Sequence, residues 1–281
     1  MAGMTDSMVD VGKALLSLNL ASVIRTLTGG IEQGRQSLRD TYTAVSPFSP
    51  LTIGEGMKMI KHIPEVPLPV APETLQAITL DMRFCDVNGS TPLRDVIAIL
   101  ALAKQQNPSA ALEFGTYFGS TTANLALNLP NATIHTIDLP ESGTEASALI
   151  EGQPIDDEHL IRGRQLGRSF RGTPLETKIV QHQGDTATYD YSVIKDPVTV
   201  FLIDGSHTYE YAHSDTMKSF ALAKGECTFL WHDCDIFHAG VLKWLVEMIA
   251  AGLPVKRIEN TSLAFMTLDA QDPKIQKFLS A

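Results

Sequence analysis

Two groups of residues in this sequence carry side chains suited to chemistry. The first lies in LEFGTYFGSTTANLA, residues 112–126, where Glu113 is followed by Gly115 and Gly119, four apart, and then by hydroxyl residues. A glycine loop between a strand and a helix usually cradles phosphate, but a carboxylate at its mouth would repel one. The spacing is G-x-x-x-G, and Tyr117 stands where the dinucleotide fingerprint has its middle glycine. The loop therefore reads as a seat for a cation. Asp138, 25 residues beyond Glu113, can accept hydrogen bonds from both hydroxyls of a ribose. The second group is Asp204 with His207 three residues on, followed by His232, Asp233, Asp235 and His238 in WHDCDIFHAG. An imidazole titrating near neutrality suits removal of a proton from an alcohol or phenol. His207 is the candidate base, whereas His238 reads as a helix-start residue and Trp231 as core.

These residues need strand ends and loops to hold them. After Pro92 the sequence alternates helical and apolar stretches: helices over 93–105, 120–129, 209–223 and 240–251, and strands over 110–114, 133–138, 178–182, 198–204, 227–232, 255–259 and 263–268. The strands are apolar throughout rather than at every second residue, which predicts a doubly wound α/β fold. Its seven-stranded, mostly parallel sheet ends in an antiparallel hairpin at one edge. In such a sheet ligands bind beyond the carboxyl ends of the strands, where Glu113, Asp138 and Asp204 fall. Ahead of this body, residues 6–28 place Val9, Leu16, Leu20, Val23 and Leu27 on one helical stripe. Residues 31–45 make a second helix, and six prolines between Pro47 and Pro72 break regular structure. The expected division is a helical arm with connector, 1–75, and a main domain, 76–281, with a long insertion at 139–173 that can serve as a lid. The uncovered stripe points to a homodimer or higher homo-oligomer.

The chain has 281 residues, 44% of them hydrophobic, enough for a sizeable core. A net charge of −10 disfavours nucleic acid and anionic membranes as partners. Three cysteines without C-x-x-C spacing make neither a disulfide framework nor a zinc site. No apolar run is long enough to span a bilayer, and Asp6 and Asp10 precede the first apolar stretch, unlike a secretory signal. The expectation is a cytoplasmic enzyme acting on a small molecule.

A ligand with a ribose, positive charge and no phosphate meets the demands of Glu113 and Asp138, and S-adenosylmethionine has all three properties. At this point the chain resembles the class I S-adenosylmethionine-dependent methyltransferases over roughly residues 90–270. LEFGTYFGST resembles the first motif of catechol-type O-methyltransferases, IHTIDL the second strand with its ribose acid, and QGDTATYD the third-strand motif. VFLIDGSHTYEYAHSD is similar to the fourth-strand motif of a bacterial branch that includes antibiotic- and sugar-modifying O-methyltransferases. The resemblance implies a Rossmann-like sheet. It also implies that Glu113, Tyr117 and Thr121 meet the methionine part, with Gly115 and Gly119 shaping the same cofactor loop, that Asp138 meets the ribose, and that Gly184, Asp185 and Thr186 border the adenine, with Asp204 beside the methyl group. In metal-dependent relatives an acid after strand four and an acidic pair after strand five hold magnesium. Asp204 and Asp233 match that layout, but His232 replaces an acid, and imidazole belongs with transition metals rather than magnesium. Asp235 can substitute for the missing acid.

Two readings of the chemistry stay open, one assisted by Mg²⁺ or another divalent cation and one metal-free, in which His207 or His232 is the base and Asp233 orients it. A nicotinamide-dependent oxidoreductase is the rival that the glycine spacing disfavours, and a non-catalytic cofactor-binding scaffold is disfavoured by Asp204, His207 and Asp233. Amide and base N-methylases carry an NPPY-type signature, where this chain has DGSH. Arg162, Arg164, Arg168 and Arg171 of the insertion read as solvated partners of acids such as Asp156, Asp157 and Glu158. The functional alternative is an arginine offered to an anionic substrate.

Overall fold

The computed structural model describes residues 53–81, 90–141 and 164–280. The expected helices of residues 6–28 and 31–45, most of the 139–173 insertion, Cys85 and Arg162 lie outside the described residues. The chain divides into two compact units, Met1–Glu55 and Gly56–Ala281. Every site residue discussed below belongs to the second.

In chain order the elements are α1 (Ile53–Ile60), β1 (Glu65–Val66), α2 (Pro72–Gln76), α3 (Leu93–Gln106), β2 (Ala110–Phe114), α4 (Ser120–Asn128), β3 (Thr133–Asp138), β4 (Ile179–Gln183), β5 (Val198–Ile203), α5 (Tyr209–Leu222), β6 (Glu226–Trp231), α6 (Ala239–Ala250), β7 (Lys256–Ile258), β8 (Ala264–Asp269) and α7 (Pro273–Leu279). The sheet order is β1-β7-β8-β6-β5-β2-β3-β4. Strands β2 to β6 pair in parallel, and β8 is antiparallel to both β6 and β7.

Among the described residues the sheet has eight strands, not the expected seven. The extra one, Glu65–Val66, comes from the proline-rich connector and pairs in parallel with β7. Prolines on either side do not forbid it, because an edge strand has only one neighbour to satisfy. The Pro64 and Val66 carbonyls accept from the Arg257 and Glu259 amides, and the Glu65 carboxylate pairs with Arg257 at 2.6 Å.

Both faces of the sheet are covered, which is why its strands read as continuous apolar runs. On one face Leu112, Phe114, Phe201, Phe229 and Trp231 pack with Phe220 of α5 and Leu242, Trp244 and Leu245 of α6. On the other, Ala111, Ile134, Val200, Leu202 and Leu230 pack with Val96 and Ile99 of α3 and Leu125 of α4. Phe201 and Phe229 stack with centroids 5.2 Å apart, and both are fully buried. Truncating either to alanine costs about 3–5 kcal/mol.

The helix ends follow local chemistry. Asn107 adopts a left-handed conformation (φ 50°) that closes α3, and the Thr208 hydroxyl caps α5 by accepting from the Tyr211 amide. Strand β2 lies between β3 and β5, so the chain first builds the sheet outward on one side of β2, through β3 and β4, and then on the other, from β5. Register brings Glu113 level with Thr136 and Leu202, so the residues that follow β2, β3 and β5 converge at one end. A cleft opens at this switch point.

Candidate active site

The cleft has a volume of about 460 Å³. All the residues expected from sequence to bind cofactor line it: Glu113, Gly115, Tyr117, Gly119 and Thr121 from β2 through the start of α4, Asp138 at the end of β3, Gly184, Asp185 and Thr186 after β4, and Asp204 after β5. The expected chemical residues His207, His232 and Asp233 line it too.

The loop after β2 needs glycine at position 115, which has φ +94° and where a Cβ would lie 2.1 Å from the Asp204 carbonyl oxygen. At Gly119 the reason is packing. A Cβ there would meet the Phe170 ring at 2.5 Å, so this glycine admits the last part of the insertion. That segment is fastened to the loop: the Gly167 and Ser169 amides donate to the Tyr117 and Phe118 carbonyls, and Arg168 lies over the Phe118 ring. Tyr117, in the middle glycine's place, takes a left-handed φ of 48°. Such a conformation is uncommon for a bulky residue and here turns the loop into the cleft.

Glu113 lies one residue before the end of β2 and its carboxylate is buried. It is 2% exposed, and one oxygen accepts from the Thr122 and Thr136 hydroxyls. Burial pushes its carboxyl up to about 8, with Asp204 and Asp138 adding to the shift and the two hydroxyls opposing it. An acid held so far above its ordinary range favours a cation beside it, because a cation would stabilise the ionised form.

Asp138 is held on all sides. Its Oδ2 accepts from the Thr116 and Tyr117 amides at 2.9 and 2.8 Å, and its Oδ1 from the Leu139 amide and Arg164 Nη2, both at 2.7 Å. Arg164 is therefore a buried partner of Asp138, not a solvated arginine. Arg171 does pair at the surface, with Glu141 at 3.1 Å.

The Asp185 carboxylate serves its own turn, accepting from the Ala187 amide at 2.9 Å, and also accepts from the Tyr211 hydroxyl at 2.8 Å. Behind it, Asp215 is fully buried. Burial pushes its carboxyl up to about 7, opposed by a hydrogen bond with Thr186. Thr121 meets the Thr91 hydroxyl at 3.2 Å, and Thr91 in turn donates to Asp204 Oδ2 at 3.2 Å.

An acid–histidine cluster also lines the cleft and gathers residues from α3 and from the loops that follow β5 and β6. His207 Nε2 lies 2.7 Å from Asp233 Oδ2. His232 Nδ1 lies 2.9 Å from Asp204 Oδ1 and 3.2 Å from Asp233 Oδ2, while its Nε2 faces Asp95 Oδ2 at 3.1 Å. Asp95, fully buried on α3, was missed from sequence, because an acid in a helix's first turn reads as a partner of the helix dipole. Burial draws His232 toward its neutral form, but Asp204 and Asp233 outweigh this and hold its proton well above the ordinary histidine range. Burial raises Asp233, and the two histidines outweigh it, holding the carboxyl well below its usual range. Asp233 also has a left-handed φ of 58°, and His238, the residue before α6, pairs with Asp235 at 3.0 Å.

The three residues expected to hold a divalent cation thus come together, with ligand atoms within 4.8 Å of one another. Their oxygens already face protein donors: Thr91 and His232 on Asp204, and His207, His232 and His238 on Asp233. An imidazole wedged between the two carboxylates does not fit magnesium, which needs an oxygen shell. A transition ion would have to displace the proton these acids hold on His232.

Residues 112–234, somewhat less than half of the chain, match the family model described as a methyltransferase domain. No curated protein matches the chain. Among solved structures it is similar to the O-methyltransferase from Bacillus cereus in complex with SAH, at 16% identity over 82% of this chain and 99% of that one, with a TM-score of 0.46. It is also similar to the O-methyltransferase TomG from Streptomyces achromogenes in complex with SAM, at 16% identity over 71% and 90% of the two chains, with a TM-score of 0.46. A SAH-bound methyltransferase of Podospora anserina is 11% identical over 84% and 95%, with a TM-score of 0.47. Over residues 112–234, then, the chain is similar to a methyltransferase domain.

Proposed function

We propose that this enzyme methylates a hydroxyl group of a small molecule and does so without a metal, with His207 as the base. The observation that carries this reading is the pair formed by His207 Nε2 and Asp233 Oδ2 at 2.7 Å, next to Asp204 on the cleft wall. With Nε2–H donated to Asp233, the imidazole lone pair sits on Nδ1, the tautomer a base requires. S-adenosylmethionine would supply an electrophilic methyl carbon to an oxygen, its methyl–sulfur bond breaking to leave S-adenosylhomocysteine. Glu113 and the loop from Gly115 to Thr121 would seat the cationic methionine end, Asp138 the ribose, and the residues after β4 the adenine.

As the acceptor oxygen gains the methyl carbon, its proton passes to His207 Nδ1 and later to solvent. Asp233 holds the ring in place and stabilises the imidazolium that forms. His232, fixed between Asp95, Asp204 and Asp233, keeps two acids in position and offsets their charge. A second reading has support in the convergence of Asp204, His232 and Asp233: a transition ion bound there could polarise the acceptor oxygen.

The test is a screen of hydroxyl compounds for methyl gain from labelled S-adenosylmethionine, run with and without a chelator. Product formed equally in both supports the proposal. Transfer to nitrogen only, or activity lost to the chelator and restored by one metal, overturns it.

A further inference from the structure

An ionised carboxylate has about four lone-pair positions. Those of Asp138 are already matched by four donors, the amides of Thr116, Tyr117 and Leu139 and the Arg164 guanidinium. Three of these are backbone groups of the glycine loop and of the next residue in the chain, and they cannot leave without taking the loop apart. Arg164 is the one side chain among the four, so it is the donor that can yield.

It is also incompletely held. Its side chain is 4% exposed, and Nη2 has a second acceptor in the Leu139 carbonyl at 2.8 Å, yet its buried Nε has no partner among the described residues. The chain just beyond it is fastened to the loop by Gly167 and Ser169. Turning the Arg164 side chain away therefore needs no movement of that anchored segment.

We propose that Arg164 and the cofactor compete for Asp138. The guanidinium occupies Oδ1 in the empty enzyme, the ribose hydroxyls replace it on binding, and its return helps expel the spent nucleoside. This rests on the reading that the ribose lies at Asp138. Arg164 is then a residue that sets affinity: an ionic hydrogen bond must be broken each time the cofactor enters and is regained each time product leaves.

The test is calorimetric titration of S-adenosylhomocysteine into wild type, Arg164→Met and Asp138→Ala, with thermal melting to check folding. Arg164→Met, which removes the competing donor but keeps a chain of similar length, should bind about tenfold more tightly than wild type. A merely structural role for Arg164 would weaken binding instead. Equal or weaker binding by Arg164→Met, together with lost binding by Asp138→Ala, overturns the competition and leaves the site reading intact. Unchanged binding by Asp138→Ala overturns both. Should Arg164→Met fail to fold, a crystal structure of wild type with S-adenosylhomocysteine decides. Arg164 Nη2 should lie beyond hydrogen-bond distance of Asp138 Oδ1, and finding both contacts together refutes the competition.

Discussion

Cofactor binding should be coupled to loss of a proton from Glu113. In the empty cleft this carboxyl sits at about 8, chiefly through burial. At pH 7 such an acid is about 90% protonated. A sulfonium or ammonium beside it favours the carboxylate, so the cation binds as the proton leaves, about 0.9 proton per cofactor at pH 7. Apparent affinity follows the ionised fraction, so Kd should fall about tenfold from pH 6 to pH 7 and level off above pH 8.

The empty protein should show the matching trend in stability. The folded value lies above the ordinary 4.5, so the folded chain holds the proton more tightly than the unfolded chain. Stability is therefore lost as pH rises from 4.5 toward about 8, by up to about 1.4 kcal/mol per pH unit. The assay is calorimetry with S-adenosylmethionine from pH 6 to 9, in buffers with different heats of protonation so that released protons can be counted. Glu113→Gln should bind more weakly, release no proton and show a flat profile. A wild-type Kd that is constant between pH 6 and 8, or a slope that survives Glu113→Gln, would refute the role given to this residue.

Other expectations follow from the same cluster and loop. His207→Ala should slow methyl transfer by about 10²–10⁴-fold while binding S-adenosylhomocysteine normally; a comparable loss of binding would move His207 out of the proton-transfer role. Asp95→Ala leaves the buried His232 imidazolium without its rear partner and should cost about 3–5 kcal/mol in urea unfolding; a loss below about 1 kcal/mol would show that the pair contributes little. Magnesium titrated into the protein should give no site-specific heat, and heat that disappears with Asp204→Asn would contradict the assignment of those oxygens to protein donors.

Much of the sheet was legible because burial on both faces leaves an unmistakable apolar run, as in residues 198–203 and 227–231. The strand Glu65–Val66 was not, since two residues between prolines show no periodicity and pair only because the Arg257 and Glu259 amides are in reach. The residues of the cleft announced themselves by type at strand ends. Their supports did not: Asp95 and Thr91 are far in sequence from Asp204 and His232 and meet them only through the packing of α3. Arg164 was misread for a related reason. An arginine among acids looks solvated, and only the seating of the last part of the insertion against the Tyr117–Phe118 loop puts it on Asp138. Gly119 stood out only as part of the glycine loop, and the ring it makes room for, Phe170, lies 51 positions away.

The central claim is that the cleft holds S-adenosylmethionine with its ribose at Asp138. Titration of the full chain with S-adenosylhomocysteine and, separately, with NAD tests it most directly. The expected result is binding of about one S-adenosylhomocysteine per chain, abolished or strongly weakened by Asp138→Ala, and no heat from NAD. Saturable NAD binding, or S-adenosylhomocysteine binding that Asp138→Ala leaves unchanged, would contradict it.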